Sequence, residues 1–220
     1  MAGCPELAAT GLRKWVLALD GRLRHNQPLG CPSSLEEGRC AMATPDGPVD
    51  DIFLPGGRLR LDCLTDEAIR AVRESLRLAR ETRWDSVRSP HVFMGLLAVP
   101  DASVRNWGER LQADLTKLLG QFQELFHQEE GEEEAVLALN REFLSDNVIR
   151  LLREAHNRAV DHHRSKITPM DLLISLLTAS NSIVAECFER IGVTAAKLTE
   201  LAVIAEHNGR DNERGEKAKK

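Results

Sequence analysis

The sequence predicts an all-α fold of two pseudo-symmetric four-helix repeats behind a largely irregular N-terminal arm. Two observations carry this. The phrase "SPHVFMGLLAV", residues 89–99, returns in kind as "TPMDLLISLLTA" from Thr168. From Thr65 to Asn208, apolar residues recur at helical spacing almost without a break.

Sliding the chain by 80 residues brings the copies into one register. Leu64 then falls on Leu144, Asp66 on Asp146, Ile69-Arg70 on Ile149-Arg150 and Arg73-Glu74 on Arg153-Glu154. Further along, Ala79 meets Ala159, Leu96-Leu97 meet Leu176-Leu177, Glu109-Arg110 meet Glu189-Arg190, and Lys117-Leu118 meet Lys197-Leu198. Matched charges, and not only matched apolar positions, argue for a duplicated unit. One copy alone is small for independent stability, so two copies gain by burying their apolar faces against each other.

The first helix of each copy follows one design. Ile69, Val72, Leu76 and Ala79 form a stripe behind Thr65, a hydroxyl placed to cap the helix, with Asp66 and Glu67 in the first turn where the dipole favours negative charge. Ser145 and Asp146 start the second copy, with Val148, Leu152, Ala155 and Ala159 as its stripe. Ser89-Pro90 and Thr168-Pro169 both read as N-cap plus first-turn proline. Gly192 marks a helix end.

The segments divide at 1–61 (arm or linker, with one short helix possible around Leu12, Trp15, Val16, Leu19 and Leu23), 62–126 (first repeat), 127–142 (acidic linker), 143–207 (second repeat) and 208–220 (disordered tail). Pro and Gly density marks the arm, and polarity marks the tail. Tyrosine is absent, which predicts a mostly aliphatic core.

Composition narrows the function. A net charge of −5 argues against a nucleic-acid partner. No apolar run is long enough to span a bilayer, and Glu6, Arg13, Lys14 and Asp20 interrupt any signal-peptide core, so a membrane role is not expected. The five cysteines form no CxxC pair; Cys31, Cys40 and His25 come nearest to a zinc set, and reduced thiols of a cytoplasmic protein explain them better. Glu154, His156, Asp161, His162 and His163 crowd one helix end without a metal-ligand spacing. Cys187 reads as a small core residue and not a nucleophile. Arg70, Arg73, Arg77, Arg80 and Arg83 give the first helix a basic face, read as pairing with Glu74 and Glu81 on a solvated surface; Arg150, Arg153, Arg158 and Arg164 repeat the pattern, with Glu154 as partner.

"LTDEAIRAV", "SPHVFMGLL" and "SVRNWGERLQADLTKLL", echoed by "FLSDNVIRLL", "TPMDLLISLL" and "SIVAECFERIGVTAAKL", resemble the duplicated N-terminal domain of Clp AAA+ unfoldases over residues 62–207. The resemblance implies a domain that receives substrates or adaptor proteins. No G-x-x-x-x-G-K-[ST] occurs, so no ATPase module and no enzyme activity or cofactor is expected; the implied role is a stand-alone recognition module whose partners are a Clp unfoldase, adaptors or clients. The same fold also suits a structural accessory of a Clp protease complex, or a regulatory or nucleic-acid-binding protein working through its arm.

In relatives that capture phosphoarginine, the resemblance assigns phosphate to a hydroxyl at the first helix of each repeat, here Thr65 and Ser145, and the guanidinium to a glutamate. Pro90 and Met170 stand at the glutamate positions, which removes the carboxylates. His91 keeps the family histidine, and the second copy has Asp171 instead. The expected contact surface is therefore apolar, around Cys63, Leu64, Phe143 and Leu144 beside Thr65, Ser145 and His91.

Overall fold

The computed structural model describes residues 52–128 and 137–217, with side chains as far as His207. The expected helix near Trp15, the cysteines Cys4, Cys31 and Cys40 with His25, and the acidic run at 129–134 lie outside them.

Eight α-helices follow in two matched sets among the described residues. The first repeat holds α1 (Asp66–Glu81), α2 (Ser89–Ala98), α3 (Ala102–Leu111) and α4 (Leu115–Leu125). The second holds α5 (Asp146–Asp161), α6 (Pro169–Thr178), α7 (Ile183–Glu189) and α8 (Ala195–Lys217). One 3-10 turn introduces each set, Leu61–Cys63 and Arg141–Phe143. Side chains cap the helices where short polar residues precede them. Thr65 accepts from the Ala68 N–H, Asp101 from Val104, Asp114 from Thr116 and Lys117, Ser145 from Val148 and Ser182 from Ala185.

The 80-residue register extends to backbone conformation. Arg83 (φ 63°) and His163 (φ 55°) take the left-handed conformation after α1 and α5; Gln112 (φ 55°) and Gly192 (φ 84°) do so after α3 and α7. Arg88 is the residue before α2, where Ser89 was expected as the cap. Thr168 holds the matching place before α6. The two prolines differ by 79 residues, and Pro90 fits one position further into the first turn, where a missing N–H costs nothing.

The repeats exchange backbone pairs. Leu64 bridges in parallel to Ile167, and Leu144 to Val87. Thr65 N–H donates to the Ile167 carbonyl at 2.9 Å and Ile167 N–H to Cys63 at 2.8 Å; Ser145 N–H donates to Val87 at 3.0 Å and Val87 N–H to Phe143 at 2.8 Å. Each contact is the other shifted by 80 residues, which is the signature of a local two-fold. The entrance to each repeat's first helix is thereby pinned to the loop before the other repeat's second helix.

The inner helices are the apolar ones. Residues 89–97 of α2 and 169–177 of α6 are buried throughout, including Leu96, Leu97, Leu176 and Leu177. No single described helix is long and apolar enough to cross a membrane, and the α6–α7 pair, bent by 70°, is core. The core is mostly aliphatic, as expected, with one aromatic cluster inside it. Phe93, Trp107, Phe122 and Phe188 meet ring to ring, with Phe93 4.9 Å from Phe122 and 5.9 Å from Phe188 between centroids. Few aromatics suffice because these four converge from both repeats.

The repeats differ in how closely their first two helices approach. A Cβ on Gly95 would sit 2.3 Å from the Ala71 carbonyl oxygen and 2.9 Å from the Ser75 nitrogen, so α1 and α2 touch through backbone. Ser175 occupies that place in the second repeat.

Two segments depart from the expected division. The compact unit containing the described residues takes in Ile52 to Leu61, read as part of the arm. Ile52, Phe53 and Leu59 are buried, Phe53 pairs antiparallel with Leu59, and Arg58 pairs with Asn140. Gly56 and Gly57, at φ 95° and 82°, make the turn between them, so the glycines that looked like linker composition serve a tight reversal. At the other end, α8 continues to Lys217, through the stretch expected to be disordered. Gly209 and Gly215 weaken a helix by about 1 kcal/mol each, yet unlike proline they do not stop one.

Candidate functional site

A cleft opens where the repeats meet. Its floor is Leu151 and Leu176, and its walls come from Ser89 at the start of α2, from Asn147, Arg150 and Glu154 along α5, and from the α6–α7 loop, residues 179–182. Arg150 and Glu154 lie one turn apart on the exposed side of α5. The Arg150 guanidinium donates to Asn147 Oδ1 at 2.6 Å, and Glu154 has no ion pair among the described residues, contrary to the expected pairing. Ser89 is 8 % exposed and its hydroxyl has no hydrogen-bond partner among the described residues.

The matching positions in the first repeat are self-satisfied. Arg70 pairs with Glu67 at 3.5 Å, and Glu74 pairs with Arg77, which also reaches Glu81. This is the surface pairing expected for the basic face of α1. Pro100 stands where the second repeat has Ser180, and its carbonyl is taken by Arg105.

Thr65 and Ser145 sit where expected, at the helix entrances, and both are N-caps. Each side chain accepts a backbone N–H, at 3.3 Å from Ala68 and 3.4 Å from Val148. The apolar set is mostly interior: Cys63, Leu64 and Leu144 are buried, and only Phe143 is half-buried. Buried side chains cannot supply a contact surface, so Thr65, Phe143 and Ser145 are what the crossover presents. Pro90 and Met170, at the positions of the family glutamates, are buried too. Burial pushes the Cys187 thiol up to about 12, which leaves it an inert packing residue.

His91 is a core histidine. Its Nδ1 accepts the Arg88 N–H at 3.0 Å, Nε2 lies 3.2 Å from the Thr82 hydroxyl, and the ring meets Trp84 edge-on at 5.7 Å. Burial first, then the Arg88 guanidinium, push its pKa down to about 3. The unfolded chain takes that proton near 6.5, so the stability carried by neutral His91 is complete above about pH 6.5 and lost as pH falls toward 3. His91→Asn keeps an acceptor for the Arg88 N–H without titrating. The wild type should therefore lose stability more steeply than the variant between pH 6.5 and 4 in urea titrations; parallel acid limbs would show that His91 does not couple to folding.

Residues 143–216 match the family model of the Clp repeat (R) N-terminal domain. The match spans the second repeat. No curated protein sequence matches the chain. Solved structures share the fold: the Hsp104 N-terminal domain from Candida albicans at 14 % identity and TM-score 0.53, over 64 % of this chain and 89 % of that one. The N-terminal domain of the ClpV1 ATPase from the E. coli EAEC Sci1 T6SS is similar at 15 % identity and TM-score 0.52, over 67 % and 88 %. A third, described as a peptide from the EAEC T6SS Sci1 SciI protein, is similar at 16 % identity and TM-score 0.50, over 67 % and 91 %.

Within this fold, one position set separates the repeats. In the second, Asp171 is fully buried and receives both Arg164 guanidinium nitrogens, at 2.6 and 2.7 Å, with Thr168 N–H at 2.9 Å and its hydroxyl at 2.7 Å. Arg158 lies 3.3 Å away, and Glu206 of α8 takes both arginines, at 2.5 and 3.1 Å, so Arg158 and Arg164 belong to this largely buried network and not to the solvated basic face expected for them. In the first repeat the same positions are Leu78, Trp84, His91 and Phe126. There the Trp84 indole N–H donates to the Phe126 carbonyl at 2.6 Å, and Arg88 lies 4.4 Å over the Trp84 ring. One repeat closes this corner with charge and the other with rings.

Proposed function

We propose that this chain is a non-catalytic recognition module that holds a segment of another protein, an adaptor or a client, for a Clp unfoldase or protease. The junction cleft carries this reading: polar and charged side chains of both repeats border it, and Glu154, Ser180 and Asn181 are exposed there with no side-chain partner among the described residues, on a Clp N-type fold. Such a lining suits a polypeptide, whose amides and charged side chains need partners. Two supports come from relatives: the similar domains are N-terminal parts of Hsp104 and of an ATPase, and one similar structure is described by its peptide. The sequence has no phosphate-cradling G-x-x-x-x-G-K-[ST], and in this reading the unfoldase supplies the motor.

The test is reconstitution. Adding the chain to the Clp unfoldase–protease of its own cell should change the degradation rate of a fluorescent client at least twofold, with no ATP hydrolysis by the chain alone. No association with unfoldase, adaptor or client in sedimentation, together with an unchanged rate, overturns the reading.

A further inference from the structure

We propose that the junction cleft selects an extended segment carrying one acidic and one basic residue two positions apart; this rests on the recognition reading above and names the sequence it recognises. Three observations lead there. First, Arg150 and Glu154 are exposed on the same side of α5 and pair with neither each other nor another charge among the described residues, whereas their counterparts Arg70 and Glu74 are both ion-paired. The second repeat thus leaves one positive and one negative charge available at a place where the first repeat has neutralised both.

Second, the spacing fits an extended chain. Four residues of helix advance about 6 Å. Two residues of extended backbone advance about 6.7 Å and return side chains to the same face. An acidic residue and a basic residue at i and i+2 therefore meet Arg150 and Glu154 together. Adjacent charges point to opposite faces and cannot.

Third, the opposite wall is short of partners. Ser89, a lining residue, has a hydroxyl with no partner among the described residues, and Ser180 and Asn181 are exposed there without a hydrogen bond to described residues. An extended backbone brings N–H and C=O groups to that wall, while the residue between the two charges faces away from the floor of Leu151 and Leu176.

The experiment uses the whole chain and five fluorescein-labelled peptides of one frame: GSLDAKLSG, GSLKADLSG, GSLDADLSG, GSLKAKLSG and GSLNAQLSG. In fluorescence anisotropy at 50 mM salt, the better of the two opposite-charge peptides should bind about 10-fold tighter than the neutral one, each exposed ion pair being worth a few-fold. Most of that preference should vanish at 500 mM salt. Arg150→Glu, on the exposed side of α5, should move the preference to GSLKAKLSG. Equal affinity for all five peptides, or a ranking unchanged by Arg150→Glu, overturns the inference. Measuring client degradation with the same samples separates the two readings: a flat peptide ranking with degradation still altered removes only the sequence rule, and loss of both removes the recognition reading as well.

Discussion

Asp171→Ala should cost about 3–5 kcal/mol of folding free energy, measured as a shift of the urea midpoint at pH 7. The carboxylate is fully buried and receives the two forks of Arg164 and two groups of Thr168. Removing it leaves Arg158 and Arg164 facing one another with only Glu206 between them, and leaves the Thr168 N–H at the entrance of α6 without its acceptor. Unbalanced buried charge dominates that loss, because desolvating a cation without its counter-ion is far costlier than losing one cap. The first repeat supplies the control. Its corner is built from Leu78, Trp84, His91 and Phe126, so exchanging all four second-repeat residues together (Arg158→Leu, Arg164→Trp, Asp171→His, Glu206→Phe) replaces a charged network by packed rings. That quadruple variant should be more stable than Asp171→Ala alone, although it changes more atoms. A cost under about 1 kcal/mol for Asp171→Ala would mean the network holds nothing.

The repeat was legible because helix starts, leucine pairs and charges keep a constant 80-residue offset, and the left-handed pairs Arg83/His163 and Gln112/Gly192 show that offset reaching the backbone. The two cap hydroxyls were legible as well, since Thr65 and Ser145 precede acidic first turns and amphipathic stripes. The charged corner was hidden by sequence distance: Arg158 and Glu206 are 48 residues apart and belong to different helices. A signal did exist. Charges at 158, 164, 171 and 206 fall on Leu78, Trp84, His91 and Phe126 in the other copy, so two positive and two negative groups stand where their twin has core side chains. The burial of Cys63, Leu64 and Leu144 was not legible, because the apolar residues beside a helix start look the same whether they face solvent or a second repeat. The exchanged bridges of Leu64 and Leu144 consume them, and the cleft lies on the polar side of α5 instead. Comparing Glu67, Arg70 and Glu74 with Asn147, Arg150 and Glu154 would have marked it, since only the first trio makes i,i+3 ion pairs.

Trp107→Ala should cost about 3–5 kcal/mol and destabilise both repeats together. The side chain is fully buried on α3 of the first repeat, yet its indole N–H donates to the Leu198 carbonyl of α8 at 3.2 Å, and its ring meets Phe188 of α7 at 6.4 Å and Phe93 of α2 at 6.2 Å. Truncation therefore empties a space walled by both repeats. The residue matching Trp107 is Cys187, and the one matching Phe188 is Gly108, so the large side chains here have small counterparts and cannot be traded between copies. Trp107→Phe separates the contributions: it keeps a ring in the core and gives up the hydrogen bond to α8, for a smaller cost of about 1–2 kcal/mol. Because a domain of this size is stabilised by only about 5–15 kcal/mol in all, the alanine variant should unfold at markedly lower urea, in one transition seen alike by far-UV circular dichroism and by the fluorescence of the remaining tryptophans. Two separate transitions would show that each repeat folds on its own, and that the rings between them decorate an interface instead of making one core.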